Sequence, residues 1–396
     1  MKRDTTIDIL KGLGIILVVI GHSGCPEQMR DIIYSFHMPL FFIASGWFFK
    51  SSSLENKKDF FLRKVKGVYL PFLKWSLIFL LLHNVFFYFG IQNSMYGKID
   101  GATPHWYSLK EMGCNVINIV LRMRDYDPFV LGAYWFLRSL FVGSIVFLFS
   151  SWAVSRLVKS KDMCIAIVMV LSCLAGGVMT YTGIHIPLVP QGGFREVMTV
   201  FFLGCGYFIK QYEDKSVCSG IADRSFPPTA KSENFQRGSQ NNPCQSGIRG
   251  NFIVATAILL FVVCVTIHPT SMSYKAIFKD WVVLPFTGVS GFVLLYKLSS
   301  YISRKRKMGD MLAYVGQNSF YILTFHFLMF KPVSLLKASY YGLDWHYISS
   351  HPVIHQVKDS WFWIIYTLVS ILLSLLLMEI IKRLSKKYAV ISYLHL

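Results

Sequence analysis

Two histidines, together with a lysine and an aspartate upstream of them, are the residues of this 396-residue chain whose spacing best suits chemistry. The run IDILKGLGIILVVIGHS contains Asp8, Lys11 and His22, and His37 opens the next apolar run, HMPLFFIASGWFF. In an α-helix Asp8, Lys11 and His22 share one face, and Lys11 and His22 lie about 16 Å apart along the axis. Ionisable groups inside an apolar helix are costly and usually line a cavity or pathway. We therefore expect a polar route that leads inward from one membrane face.

The composition indicates a membrane protein. The chain is 54% hydrophobic and only 15% charged, which is too apolar for an ordinary soluble domain. Its net charge of +19 comes mainly from basic residues in alternate loops between apolar runs, so it is an orientation signal and does not indicate a nucleic-acid partner. The eight cysteines show no CxxC motif and no regular spacing, so we expect neither a disulfide framework nor a metal site.

The apolar runs predict an all-α polytopic fold with about ten transmembrane helices. The predicted spans are 7–23, 33–49, 67–89, 131–153, 162–181, 195–210, 250–268, 281–299, 311–332 and 359–384. The second and the sixth are short for a full crossing and are candidates for tilted, broken or re-entrant helices. The excess of Lys and Arg in alternate loops predicts that both the N- and C-termini are cytoplasmic, in a multi-pass protein of the inner (cytoplasmic) cell membrane.

One membrane domain is expected to occupy residues 1–390, followed by a short tail at 391–396. Within it, residues 211–249 are rich in Ser, Asn, Gln, Pro and Gly, which is typical of a flexible loop, here cytoplasmic. The segment 337–358 contains three histidines whose spacing resembles a metal site. Because Pro352 interrupts them and no Cys or paired carboxylate lies nearby, we interpret this segment as a solvated loop.

Several motifs resemble those of the acyltransferase-3 family of integral-membrane O-acyltransferases. They are the opening run with its Lys11-x10-His22 spacing, FHMPLFFIASGWFF after it, RKVKGVYLPF at 63–72, YWFLRSLF at 134–141 and GQNSFYILTFH at 316–326. The resemblance implies transfer of an acyl group, most often acetyl, from cytoplasmic acyl-CoA to a hydroxyl of a cell-surface or lipid-linked glycan. Lys11 stands where many members have arginine, which keeps the charge but not the bidentate grip.

The histidines suit this chemistry. A sugar hydroxyl is a poor nucleophile near neutral pH, and a neutral histidine can remove its proton as the thioester carbon is attacked. His22 is the candidate general base, and His37 is the candidate beside it across the short turn. For either histidine the alternative is a helix-end residue that contacts lipid headgroups. Direct transfer and a covalent acyl-histidine relay both remain open.

The donor, acetyl-CoA, is expected as a substrate, with no permanently bound cofactor and no metal. Coenzyme A carries several phosphate charges, and Arg63, Lys64 and Lys66 at the cytoplasmic end of the third span are suited to bind them. Lys11 is the fourth donor-binding candidate, and with Asp8 it is expected either to form an ion pair that orients the first helix or to line the route of the pantetheine arm. Ordinary positive-inside anchoring is the alternative for the other three.

A further group of polar residues within or beside the apolar runs is expected to line the substrate cavity. Arg138 lies in the middle of a span, where an unpaired charge is most costly. Arg195 is expected to contact the acceptor or its neighbour Glu196. The full group of cavity candidates is Asp8, Arg138, Arg195, Ser319 and His326.

A transporter or exporter of a glycan or small metabolite is the alternative function. The absence of a twofold hydropathy repeat and the scarcity of carboxylates within the spans both argue against it. The expected partners are therefore acyl-CoA, a glycan or lipid-linked sugar acceptor and the lipid bilayer. Response to acetyl-CoA discriminates the two functions, because a carrier has no need of a thioester.

Overall fold

The computed structural model describes residues 4–97, 103–187, 189–218, 243–273, 275–357 and 361–387. Throughout these ranges the regular secondary structure is helical, so the predicted all-α class is confirmed. The α-helices are α1 (Thr5–His22), α2 (Glu27–Tyr34), α3 (His37–Trp47), α4 (Lys57–Lys64), α5 (Leu70–Tyr88), α6 (Leu109–Arg122), α7 (Pro128–Leu131), α8 (Trp135–Val154), α9 (Lys161–Thr182), α10 (Phe194–Cys218), α11 (Pro243–Ile267), α12 (Phe278–Ser303), α13 (Arg306–Gln317), α14 (Ser319–Tyr341) and α15 (Phe362–Lys387).

Seven helical segments in the described ranges are long and apolar enough to cross a membrane, which supports a multi-pass membrane protein. They are Thr5–His22, Lys57–Tyr88, Pro128–Val154, Lys161–Thr182, Phe278–Ser303, Ser319–Tyr341 and Phe362–Ser385. The predicted number of about ten is not confirmed. The helix α3 has only 11 residues and spans about 16 Å, roughly half of a hydrocarbon core. The helix α10 carries charged residues in its first turn, and the apolar part of α11 is the short segment Phe252–Ile267.

The predicted ninth span, 311–332, is wrong as a single helix. The chain breaks at Asn318, whose φ of −106° and ψ of 14° separate α13 from α14. The Asn318 side chain donates to the Tyr314 carbonyl at 2.8 Å and accepts from Lys382 Nζ at 3.2 Å, which stabilises the break. After the break, α14 continues through Pro332 to Tyr341.

Only the ends of the predicted flexible loop at 211–249 are described. There α10 continues to Cys218 and α11 begins at Pro243. Residues 219–242 and the predicted tail at 391–396 lie outside the described residues.

Glycines allow α1 to cross α13 in backbone contact. A Cβ atom on Gly316 would lie 1.8 Å from the Asp8 carbonyl oxygen, and one on Gly12 would lie 2.2 Å from the Leu312 carbonyl oxygen. Small residues at a membrane helix crossing let the backbones approach, which maximises van der Waals contact. The crossing therefore fixes the position of α1, the helix that carries Lys11 and His22.

We expect Gly316→Ala to destabilise the fold by about 1–3 kcal/mol, because the added methyl group meets a backbone oxygen that cannot move aside. The measurement is the apparent melting temperature in detergent. The control is Gly113→Ala in α6, where a Cβ atom has nothing within 4 Å and alanine improves helix propensity. An unchanged melting temperature for Gly316→Ala would contradict a backbone-contact crossing.

Candidate active site

His22 ends α1, and Tyr34 at the end of α2 sets the position of its ring proton. The Tyr34 hydroxyl donates to the Gly21 carbonyl at 2.9 Å, and its oxygen lies 3.3 Å from His22 Nδ1. Because the tyrosine proton is committed to Gly21, the Tyr34 oxygen is left to accept from Nδ1–H of His22. In neutral His22 the unprotonated nitrogen is then Nε2, which is the atom a general base needs.

His326 on α14 lies beside His22, with 5.6 Å between the two ring centroids. Its Nδ1 lies 3.0 Å from the Ile322 carbonyl oxygen and 2.9 Å from that of Leu323, so Nδ1 carries the proton. Its Nε2 is buried and has no hydrogen-bond partner among the described residues. The structure thus brings together two imidazoles whose other nitrogens are unprotonated.

His37 lies behind Tyr34. The Tyr34 ring centroid is 5.1 Å from that of His37 and 6.0 Å from that of His22, so the tyrosine bridges the two histidines. His37 Nδ1 donates to the Ile33 carbonyl at 2.8 Å, a bond to the last turn of α2. The sequence predicted His37 next to His22 across the turn, and the structure inserts a tyrosine that sequence reasoning missed.

A cavity of about 760 Å³ borders α1 at Lys11 and is lined in part by basic residues. Lys11, Arg63 and Lys64 line it, as does Lys50. Lys64 Nζ donates to Ser45 Oγ at 3.0 Å. These residues include three of the four candidates for binding the donor.

Lys66, the fourth donor-binding candidate, does not line this cavity. It is exposed in a π-helical turn, Val65–Tyr69, that joins α4 to α5. Two residues along a helix correspond to roughly 200°, so Lys64 and Lys66 point in nearly opposite directions. The structure therefore separates these two basic residues.

Two further candidates lie near the break between α13 and α14: Asp8 of α1 contacts the end of α13, and Ser319 begins α14. Asp8 is buried and accepts from Gln317 Nε2 at 3.1 Å, which directs its carboxylate towards the end of α13. Ser319 is the first residue of α14, two turns before His326 on the same face. The polar face of α1 that the sequence predicts thus contacts α13 at Asp8 and borders the basic cavity at Lys11.

Arg138 belongs to a buried polar cluster between α8 and α10. Its Nε donates to Glu196 Oε1 at 2.9 Å, and Ser139 Oγ donates to the same oxygen at 3.1 Å. Gln191 Oε1 accepts from Arg138 at 3.2 Å and from Arg195 at 2.8 Å. Glu196 is therefore the counter-charge of Arg138, and the two arginines share one amide oxygen.

Arg195 contacts an aromatic ring, a backbone carbonyl and a glutamine that borders a second cavity. Its guanidinium lies 3.8 Å from the Trp135 ring centroid, and its Nε donates to the Met272 carbonyl at 2.9 Å. Gln191, which accepts from it, lines a second cavity of about 390 Å³ together with His185 and Lys275. This cluster holds the start of α10 against α8 and borders that second cavity.

The loop after α14 contains a site residue that the sequence interpretation missed. His351, predicted to be solvated, has its ring centroid 5.0 Å from that of Phe327, whose centroid in turn lies 4.9 Å from that of His22.

Two buried lysines of α14 fix the position of the loop that carries His351. Lys331 Nζ donates to the carbonyls of Ile348 and Ser350, and Lys337 Nζ donates to those of Ile354 and Val357. These two lysines were the sequence signal that could have revealed the packed loop. A lysine within an apolar span needs several hydrogen-bond acceptors for its buried ammonium group, and here the loop carbonyls supply them.

We expect Lys331→Met to release this loop and to increase modification of His351 by diethylpyrocarbonate several-fold. The substitution removes donors 3.1 and 3.0 Å from two loop carbonyls and leaves those carbonyls unpaired. Mass spectrometry of the modified peptides measures the change. Exposed His105 is the internal reference and Lys110→Met, at an exposed position, is the control. Equal modification of His351 in variant and wild type would mean that other contacts hold the loop.

Comparison with protein families gives one finding for this chain. A family model described as an acyltransferase domain matches residues 4–379, nearly the whole chain. Neither the curated proteins nor the solved structures gave a match.

Proposed function

Because this chain belongs to the acyltransferase-3 family, we propose that it transfers an acetyl group from cytoplasmic acetyl-CoA to a hydroxyl of a cell-surface or lipid-linked glycan. The observation that carries the proposal is that one helix, α1, borders the basic cavity at Lys11 and reaches the histidine cluster, His22 with His326, at its end. In this proposal the Lys11 end faces the cytoplasm, and the protein resides in the inner cell membrane.

The basic cavity is the proposed donor site. Its volume of about 760 Å³ lies within the usual range for small-molecule sites, and Arg63 and Lys64 provide charge for the phosphates of coenzyme A. Ser45 holds the Lys64 ammonium through a 3.0 Å hydrogen bond, so this charge is positioned before the ligand arrives. The pantetheine arm then extends along α1 from Lys11 towards His22, over about 16 Å.

His22 is the proposed general base. Its Nε2 takes the proton of the acceptor hydroxyl while the hydroxyl oxygen attacks the thioester carbonyl carbon. Collapse of the tetrahedral intermediate breaks the carbon–sulfur bond, and the departing thiolate receives the proton from His22. Tyr34 keeps Nδ1 of His22 as the donor nitrogen and so maintains the reactive tautomer. Direct transfer of this kind needs no acyl-enzyme.

The remaining candidates receive supporting roles. His326 Nε2, buried beside His22 with no partner among the described residues, is suited to accept a hydrogen bond from acceptor or water. His37 supports Tyr34 from behind. The ion pair of Arg138 with Glu196 at 2.9 Å favours a positioning role for Arg138 between α8 and α10, with Arg195 at the edge of the second cavity.

We expect His22→Ala to lower acetyl transfer by a factor of about 10²–10⁴, the usual contribution of a general base, while the protein still accumulates in membranes. The assay measures incorporation of radiolabel from acetyl-CoA into the glycan fraction of membranes. The control is His105→Ala, at an exposed histidine outside the cluster. Undiminished incorporation by His22→Ala would keep the reaction but remove the base assignment. No incorporation by well-inserted wild type would contradict the proposed donor or acceptor.

Lys64 and Lys66 provide a matched test of the donor site, since only Lys64 lines the basic cavity. We expect Lys64→Gln to raise the KM for acetyl-CoA about tenfold, because a charge-assisted hydrogen bond to phosphate is lost. Lys66→Gln should change this KM less than twofold. Steady-state kinetics at varied acetyl-CoA and at varied acceptor measure both effects. Equal effects of the two substitutions would indicate that these lysines serve membrane orientation instead.

A further inference from the structure

His351 is built into the wall of the histidine cluster from a distant part of the chain. Its ring packs against Phe327 on α14, with 5.0 Å between ring centroids, and against Phe129 on α7, with 6.1 Å. Gly132 borders the same space, since a Cβ atom there would lie 3.9 Å from His351 Nε2. The loop that carries His351 is fixed to Lys331 as described above.

One nitrogen of His351 has no hydrogen-bond partner among the described residues. Nδ1 is buried and unpaired, and such a ring nitrogen can accept a hydrogen bond from a hydroxyl or donate one to it, depending on the tautomer. Buried polar atoms without partners are rare in folded proteins, because each costs about 1–3 kcal/mol. Such an atom is typical of a site that a ligand completes.

The protonation state of His351 suits an acceptor. Burial lowers the pKa of His351 well below its usual value, and the positive charge of the nearby Lys331 lowers it further. The ring is therefore neutral at physiological pH, so one of its two nitrogens is unprotonated and can accept a hydrogen bond.

The neighbour that packs on this ring is positioned by a second buried pair. Asp127 accepts from the Phe129 backbone N–H at 2.9 Å and from His83 Nδ1 at 2.8 Å, and both Asp127 and His83 are fully buried. These bonds fix the start of α7 and with it Phe129, whose ring contacts that of His351. The unpaired Nδ1 is thus held in place by protein contacts and is not a freely rotating group.

We propose that His351 Nδ1 binds a second hydroxyl of the acceptor, different from the one that is acetylated, and so selects a polyhydroxylated sugar and the position at which it reacts. This inference rests on the proposed function. Phe327 contacts both His22 and His351, so the centroids of the two histidine rings are no more than about 10 Å apart. One sugar ring with a hydrogen bond of about 2.8 Å at each side covers that span.

The test compares His351→Asn and His351→Phe with wild type, using radiolabelled acetyl-CoA and the glycan fraction of membranes as acceptor. His351→Phe removes the acceptor nitrogen and should raise the KM for the glycan about fivefold to tenfold, with the KM for acetyl-CoA changed less than twofold. His351→Asn keeps an acceptor oxygen and should recover part of the loss. The control is His346→Ala, an exposed histidine of the same loop, which should behave like wild type.

Analysis of the labelled sugar by NMR gives a second readout that a merely structural role would not alter. Wild type should acetylate one hydroxyl, and His351→Phe should distribute the label over neighbouring hydroxyls. An unchanged product and unchanged KM values for His351→Phe would overturn the inference. Equal increases in the KM for glycan and for acetyl-CoA, together with a lowered melting temperature, would also overturn it, because they would indicate a structural role. Absence of any transfer by wild type would contradict the proposed function itself, which this design separates from failure of the His351 assignment.

Discussion

The backbone contact between α1 and α13 is the constraint on which the rest of the site depends. Any side chain at Gly12 or Gly316 would overlap a carbonyl oxygen of the facing helix, so α1 cannot rotate or slide without a clash. Lys11 and His22 are on this one rigid helix. Their separation, about 16 Å, is therefore constant, as a site that joins a donor on one side to an acceptor on the other requires.

A second crossing of the same kind fixes the short helix α3. A Cβ atom on Gly46 would lie 2.1 Å from the Leu203 carbonyl oxygen, and one on Gly206 would lie 2.0 Å from that of Ile43. The helix α3 begins with His37 and carries Ser45 on the cavity wall. A helix of only 11 residues is thus held firmly, because its backbone packs directly on α10.

The sequence predicted those parts that local patterns determine. The first span, at 7–23, agrees closely with α1 because a continuous apolar run with capping signals is a local property. The break at Asn318 was missed, since it depends on Lys382, 64 residues away. His351 was missed for the same reason, because its position beside Phe327 requires lysines of α14 to bind loop carbonyls. The sequence alone could not show that Lys64 lines the basic cavity and Lys66 does not, because segments distant in the chain form that cavity.

The buried histidines show how an apolar site obtains an unprotonated nitrogen. Among the described residues, His326 and His37 commit one N–H to a backbone carbonyl and neither pairs with a carboxylate. His83 is just as buried, but its Nδ1 faces Asp127 at 2.8 Å and its Nε2 faces the His105 carbonyl at 2.9 Å. With both nitrogens facing acceptors, His83 has no free electron pair for a proton. A backbone or tyrosine partner on one side of the ring therefore distinguishes the histidines suited to act as bases or acceptors from the one that clamps α5 to α7.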